Sequence, residues 1–199
     1  MLARTRTFTI EGLHTRAVTV EVDVRRGLPG LTIVGLADAA VREARERVQA
    51  AIVNSGLEFP ARRIVVNLAP GDVRKEGAGL DLALACCVLG ASGQLPADAL
   101  EGVALLGELG LDGAVRPVRG TLAVAHAAAR AGVRTLALAV ERMQEAALID
   151  GLRVAGVTDL SGAVRVLRGG APDALPTRAA ARAGERAFAG ERWGEAFAG

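Results

Sequence analysis

The chain has 199 residues, 51% of them hydrophobic and 23% charged, with a formal net charge of +2. That length suits one domain of ordinary size plus a tail, and the apolar half is enough for a real core. So small a charge gives no argument for nucleic-acid binding by itself, and no apolar run reaches the roughly 18 residues that cross a bilayer.

Residues 3–10 read as a first strand, with Thr5, Thr7 and Thr9 alternating with apolar positions, and Glu11-Gly12 as a turn. Thr15 to Val24 reads as a second strand, with Val18, Val20, Val22 and Val24 on a buried face and Thr19, Glu21 and Asp23 on a wet one. Gly27-Leu-Pro-Gly30 turns the chain into a third strand, Leu31 to Val34. A helix follows from an N-cap at Asp38 to Asn54, with Val41, Ala44, Val48, Ala51 and Ile52 as its buried stripe. Arg42/Glu46 and Glu43/Arg47 stand at i, i+4. Arg42, Arg45 and Arg47 form either a solvated face or a patch that touches DNA or a partner.

The central stretch runs from Arg63 to Ala85. Ile64-Val-Val66 predicts a strand buried on both faces, ended at Pro70-Gly71. A polar loop, Asp72 to Gly79, then leads to an apolar helix reaching about Leu89. The loop holds Asp72, Arg74, Lys75 and Glu76, and Lys75 is the one lysine against 23 arginines. A strand, a glycine-bearing loop and a buried helix are a common place to build a site. Asp81 lies between Leu80 and Leu82 on the apolar helix, where a carboxylate is costly unless paired. It reads as a structural carboxylate bonded to a backbone amide or to an arginine such as Arg116, with a catalytic role as the alternative. Cys86 and Cys87 are adjacent on this helix and point about 100° apart, so they read as reduced core thiols.

Beyond Leu95-Pro96, Val103 to Leu109 reads as a strand, Asp112-Gly113 as a hairpin turn and Val115 to Val118 as the return, shortened by Pro117. Then come a helix from Thr121 to Ala131, a strand from Thr135 to Val140, a helix from Glu141 to Leu148 and a strand from Val154 to Val157. Thr158 is read as the cap of a last helix ending near Leu167. The first half reads as antiparallel and the second as parallel, giving an α+β fold, a two-layer mixed sheet with helices. Residues 1–168 form the domain. Residues 169–199 are an Ala/Gly/Arg-rich tail with too little aliphatic surface for a core.

Four blocks carry a resemblance. They are Gly27 to Leu36, Arg42 to Val48, Val66-Asn-Leu-Ala-Pro-Gly-Asp-Val-Arg-Lys-Glu-Gly-Ala-Gly-Leu-Asp81 with the helix after it, and Leu106 to Gly120. In that order they resemble the N-terminal domain of the YifB/ComM family, the magnesium-chelatase-like AAA+ ATPases, over roughly residues 3 to 168. That domain is similar in fold to the Lon protease domain (the ribosomal protein S5 domain 2-like superfold) and to the C-terminal domain of RadA. The resemblance to Lon puts its nucleophilic serine at Gly79 and its catalytic lysine at Leu122. Neither side chain can act as nucleophile or base, so the resemblance implies a lost dyad and no catalytic residue. Lys75 offers no replacement base, because no serine lies in its loop, and it reads as solvent-exposed or paired with Asp72 or Glu76. His14 and His126 read as isolated, with no metal site and no metal ligand set.

No Gly-x-x-x-x-Gly-Lys-[Ser/Thr] motif occurs. The family carries ATP and Mg in an AAA+ module after this domain, so no cofactor is expected in this chain, which reads as truncated or as the product of a split gene. The resemblance implies a non-catalytic N-terminal domain of a DNA-processing ATPase, with branch migration in natural transformation as the ComM role. It also implies a homo-oligomeric (hexameric) ring, weak contact with DNA, no membrane and a cytoplasmic location. The competing readings are an active Lon-like serine peptidase and a stand-alone protein-interaction domain.

Overall fold

The computed structural model describes residues 1–12, 14–35, 37–73, 75 and 77–174, and the side chains of all these but Ala40 and Arg42. Two residues of the candidate loop, Arg74 and Glu76, lie outside the described residues, as do the Arg42 side chain and the tail from 175. Seven strands form one sheet, β1 (Leu2–Glu11), β2 (His14–Arg25), β3 (Gly30–Val34), β4 (Arg63–Ala69), β5 (Val103–Leu106), β8 (Thr135–Ala139) and β9 (Arg153–Val157), in the order β3-β4-β2-β1-β5-β8-β9. A hairpin of β6 (Glu108–Leu109) and β7 (Val115–Arg116) stands beside it. The helices are α1 (Ala39–Asn54), α2 (Asp81–Ala91), α3 (Thr121–Arg130), α4 (Met143–Ala146) and α5 (Leu160–Leu167).

β1 pairs with β2, and β2 with β4, antiparallel; β5, β8 and β9 run parallel. The first half departs from the expected pattern at its edge, where β3 pairs with β4 in parallel. The crossover through α1 makes this possible, since a parallel pair needs a connection that returns the chain to the same end of the sheet. The two halves meet where Arg6 of β1 registers with Ala104 of β5.

The valines of β2 lie inside as their period predicts, Val18, Val20 and Val22 completely so. β1 alternates as expected, with the threonines on the side of the main core. Thr5, Thr7 and Thr9 are the buried side chains, set beneath α2, while Phe8 faces the opposite side of the sheet. A threonine can sit there when its hydroxyl finds a carbonyl, as Thr5 does on Val103 at 3.1 Å. The Thr7 hydroxyl is buried without a partner. β4 is buried on one face, through Ile64, Val66 and Leu68, and half-buried on the other, not on both.

Helix α2 is buried along its whole length, as an all-round apolar helix must be. A main core gathers α1, α2 and α5 on one face of the sheet. A smaller core gathers α3 and α4 on the other, around Phe8, Leu106, Leu136 and Leu138. The α+β class therefore stands, with one helical layer of α1, α2 and α5 on one face of the sheet and a smaller one on the other, where α3 lies against β1 and β2 and α4 against β9.

The strand expected over Val103–Leu109 breaks at Gly107. Its amide donates to the Gly79 carbonyl at 3.0 Å and its carbonyl accepts from Leu82 at 3.1 Å, so this peptide serves the start of α2 instead of a sheet neighbour. A Cβ at Gly107 would stand 2.7 Å from Val115 Cγ1, which explains the glycine. Pro117 ends β7 after two residues, earlier than predicted. The last helix is capped by Asp159, whose side chain accepts from the Gly162 amide at 2.7 Å. Thr158 instead donates its hydroxyl to Asp173 at 2.8 Å, and the Asp173 amide donates to Gly156, so ordered contacts run past residue 168.

Candidate functional site

The loop between β4 and α2 is pinned from three sides. Asp38 precedes α1 in an extended conformation, as its role as N-cap requires. One carboxylate oxygen accepts from the Val41 amide at 2.8 Å, and the other from the Gly77 amide at 3.2 Å. The Asp38 amide in turn donates to the Lys75 carbonyl at 3.1 Å, beside a parallel bridge between Ala37 and Lys75. One aspartate thus joins the first turn of α1 to the end of the loop.

Lys75 is not exposed. Its side chain has no accessible surface, and its Nζ donates to the Pro70 carbonyl five residues back. Burial pushes its pKa down, against the opposing pull of Asp72. Of the two expectations, exposed or paired with Asp72 or Glu76, the first fails, because a long aliphatic stem can be packed inward when a backbone carbonyl takes the ammonium. Asp72 itself is exposed.

Asp81 opens α2 and is enclosed, its side chain 1% exposed. The arginine that meets it is Arg47 of α1. Nε reaches one carboxylate oxygen at 2.7 Å and Nη2 the other at 3.1 Å, a two-pronged contact. The Leu109 amide adds a third bond at 3.3 Å. The backbone amide was expected; Arg116 was not the partner, since it lies on the hairpin against Glu108 at 3.4 Å. Burial raises the Asp81 pKa, and the guanidinium and the amide act against that rise. The hydrogen bond to Asp81 raises that of Arg47.

The candidate arginine face is thereby divided. Arg47 is only 21% exposed and turned to Asp81, whereas Arg45 is 48% exposed and lies 3.6 Å from Glu46. The i, i+4 spacing of charges on α1 showed nothing of this; the signal available was Asp81 itself, a carboxylate on an apolar helix that demands a cation.

Gly79 sits in a short 3-10 turn, Ala78–Leu80, that leads into α2. It lines a cavity of about 310 Å³ with Phe8, Ile10, Glu108, Val118 and Arg119. A Cβ at Gly79 would meet Val118 Cγ1 at 3.5 Å and Leu106 Cδ1 at 3.7 Å, ordinary contacts. A side chain would therefore fit, and the lack of a hydroxyl at this point does not come from want of space. From α3 the cavity takes Val124; Leu122 is on the same helix, 41% exposed, with its amide bonded to Glu145 at 3.1 Å.

His14 and His126 are not isolated. They line one cavity of about 520 Å³ with Arg130 between α3 and the β1–β2 hairpin, although 112 positions separate them in sequence (126 less 14). Cys86 and Cys87 are free and buried, and burial pushes both thiols up, Cys87 to about 12. Among the described residues no group of three or more His, Cys, Asp or Glu could hold a metal ion, and no helix is long and apolar enough to cross a membrane.

Comparison with known proteins places this architecture. The family model described as subunit ChlI of Mg-chelatase matches residues 20–142. The chain is 50% identical over 139 residues to the uncharacterised protein YifB of Salmonella typhimurium, covering 70% of this chain and 27% of that one. It is 43% identical over 168 residues to an uncharacterised protein of Mycobacterium tuberculosis (84% and 33%) and 39% identical over 158 residues to the competence protein ComM of Haemophilus influenzae (79% and 31%). The chain thus spans about a third of the length of the curated relatives it matches.

Proposed function

This chain belongs to the ChlI Mg-chelatase-like family, with YifB and ComM among its relatives, and on that premise we propose that it is a non-catalytic N-terminal domain acting beside an AAA+ ATPase module. The observation that carries the reading is the match over residues 20–142, which takes in Lys75, Gly79 and Asp81 together. Each of these three does structural work or none. Lys75 is bound to Pro70, Asp81 to Arg47, and Gly79 offers no nucleophile beside an open cavity. A general base and an activated hydroxyl must lie within hydrogen-bond reach, and these three residues, paired or without a hydroxyl, support the non-catalytic reading. The finer proposal is DNA processing in a ring whose copies add weak contacts together; one relative carries the name competence protein ComM. Such contacts would come from arginines on phosphate, Arg45 among them, and would weaken steeply with salt.

The test has two arms. An AAA+ module encoded beside this chain, expressed with it, should copurify with it and hydrolyse ATP faster in its presence. Separately, the full chain incubated with unfolded casein and a serine-reactive phosphonate should neither cleave nor label. Cleavage with specific labelling would replace this reading with a peptidase; an ATPase module indifferent to the chain would replace it with a stand-alone interaction domain.

A further inference from the structure

The cavity that holds both histidines carries an inference beyond that reading. On α3, Ala123, His126, Ala127 and Arg130 recur three and four apart, so they form one stripe along the helix. Opposite stand His14, Thr15 and Ala17 of β2, with Phe8 of β1 as the floor. The alanines add little bulk along its walls, leaving an open groove of about 520 Å³. The C-terminal end of a helix ordinarily repels an anion. Here Arg6 of β1 donates to the Ala131 carbonyl at 2.8 Å and Arg130 stands in the last turn, so two guanidinium groups offset that end. Among the described residues that line the cavity none is acidic. The carboxylate set beside it by register is Glu11, cross-strand partner of His14, and Arg16 follows on the same strand.

We propose that this groove binds the phosphate group of a nucleotide unit, either free or within a single strand. Arg130 with the two imidazoles and the Thr15 hydroxyl would supply the donors, and the exposed histidine rings flat faces for a base. The assignment does not rest on the ATPase reading. It also lies on different elements from Arg45, which belongs to α1.

The whole sequence has two histidines, so the imidazole proton signals of the intact chain report the groove directly. Inorganic phosphate, thymidine 5′-monophosphate and a ten-residue oligothymidylate are titrated in turn, following those signals. Both histidine signals should shift and saturate. Arg130→Ala should weaken binding about tenfold, the loss of one charge-assisted contact, while Arg45→Ala leaves it unchanged. His126→Ala, an exposed position on a helix, should keep the fold by circular dichroism and weaken binding as well. An oligonucleotide bound at least about tenfold tighter than the monophosphate identifies a strand as the source, and equal affinity a free nucleotide. No saturation with any of the three probes overturns the proposal, as does an Arg45→Ala loss equal to that of Arg130→Ala. Either failure leaves the copurification and ATPase result standing on its own.

Discussion

The two ends of α2 are held by opposite means. Its first turn is charged: Asp81 meets Arg47, and the approach to it passes the buried Lys75 and the Asp38 anchor on Gly77. Its body is dry, with Cys86, Cys87, Val88 and Leu89 enclosed by β1, β2 and the other helices of the main core. Burying an aliphatic side chain of that size stabilises by about 1.5–3 kcal/mol whatever its neighbours' orientation. A buried carboxylate stabilises only if its partner is in place. The body therefore sets how stable the helix is, and the first turn sets where it begins. Asp81 also lies at the positive end of the helix dipole, which favours a carboxylate there.

The comparison is broken hardest by removing one partner of the ion pair. Arg47→Met leaves Asp81 enclosed without its cation and should cost about 3–5 kcal/mol in urea unfolding. Adding Asp81→Leu should recover part of that loss; two losses that simply add would show that the pair is not coupled. Asp38→Ala comes next, at about 1–2 kcal/mol, because one change removes the cap of α1 and the anchor of Gly77. A melt that overlays the parent would deny the anchor any weight.

The dry body is probed by alkali. Burial raises both thiol pKa values, Cys87 to about 12. The folded state therefore keeps protons that the unfolded chain gives up above the ordinary value of 9.0. This contribution is complete below pH 9 and is lost as pH rises toward 12, by up to about 1.4 kcal/mol per pH unit for each thiol. Cys87→Ala should show a shallower fall in stability over that range, whatever its stability at neutral pH.

Lys75 gives the reverse slope. Its pKa is lowered, so between that value and 10.5 the unfolded chain binds more protons, and parent stability rises with pH. Lys75→Met should stabilise by about 1 kcal/mol at neutral pH, an advantage that shrinks as pH approaches 10.5. A constant gap across pH would mean that the ammonium is not desolvated. The smallest effect belongs to Gly79→Ser, within about 0.5 kcal/mol, because a Cβ there meets only ordinary contacts.

Much of the fold was legible because its elements follow simple periods. The β2 valines, the α1 stripe and the Asp38 cap stand where spacing places them. What the sequence concealed were residues whose polarity is outweighed by position. The β1 threonines are inside because the helix above them leaves no better side for the strand, and hydroxyls tolerate burial more cheaply than charges do. Lys75 and Arg47 look like surface residues until the acceptor that meets each is known, a carbonyl for one and a carboxylate for the other, and both acceptors lie on other segments or behind a turn. The strand expected over Val103–Leu109 gave no sign that Gly107 would turn its peptide toward Gly79 and Leu82. His14 and His126 converge only through the β1–β2 hairpin packing under α3, a contact without any local signature.

The seam between the two sheet halves has a kinetic consequence. The Thr5 hydroxyl bond to Val103 crosses it over 98 positions of chain, beside the register of Arg6 with Ala104. The β1–β2 hairpin pairs Glu11 with His14, three positions apart, whereas the seam must gather nearly half the sequence before it gains its first bond. Loop-closure entropy grows with the logarithm of that length, and distant pairings slow the search. The hairpin should thus acquire hydrogen-exchange protection first during refolding, and β5 should zip onto β1 last. Pulse labelling that finds the β1 and β5 amides protected in the same early step would instead make the seam part of the folding nucleus.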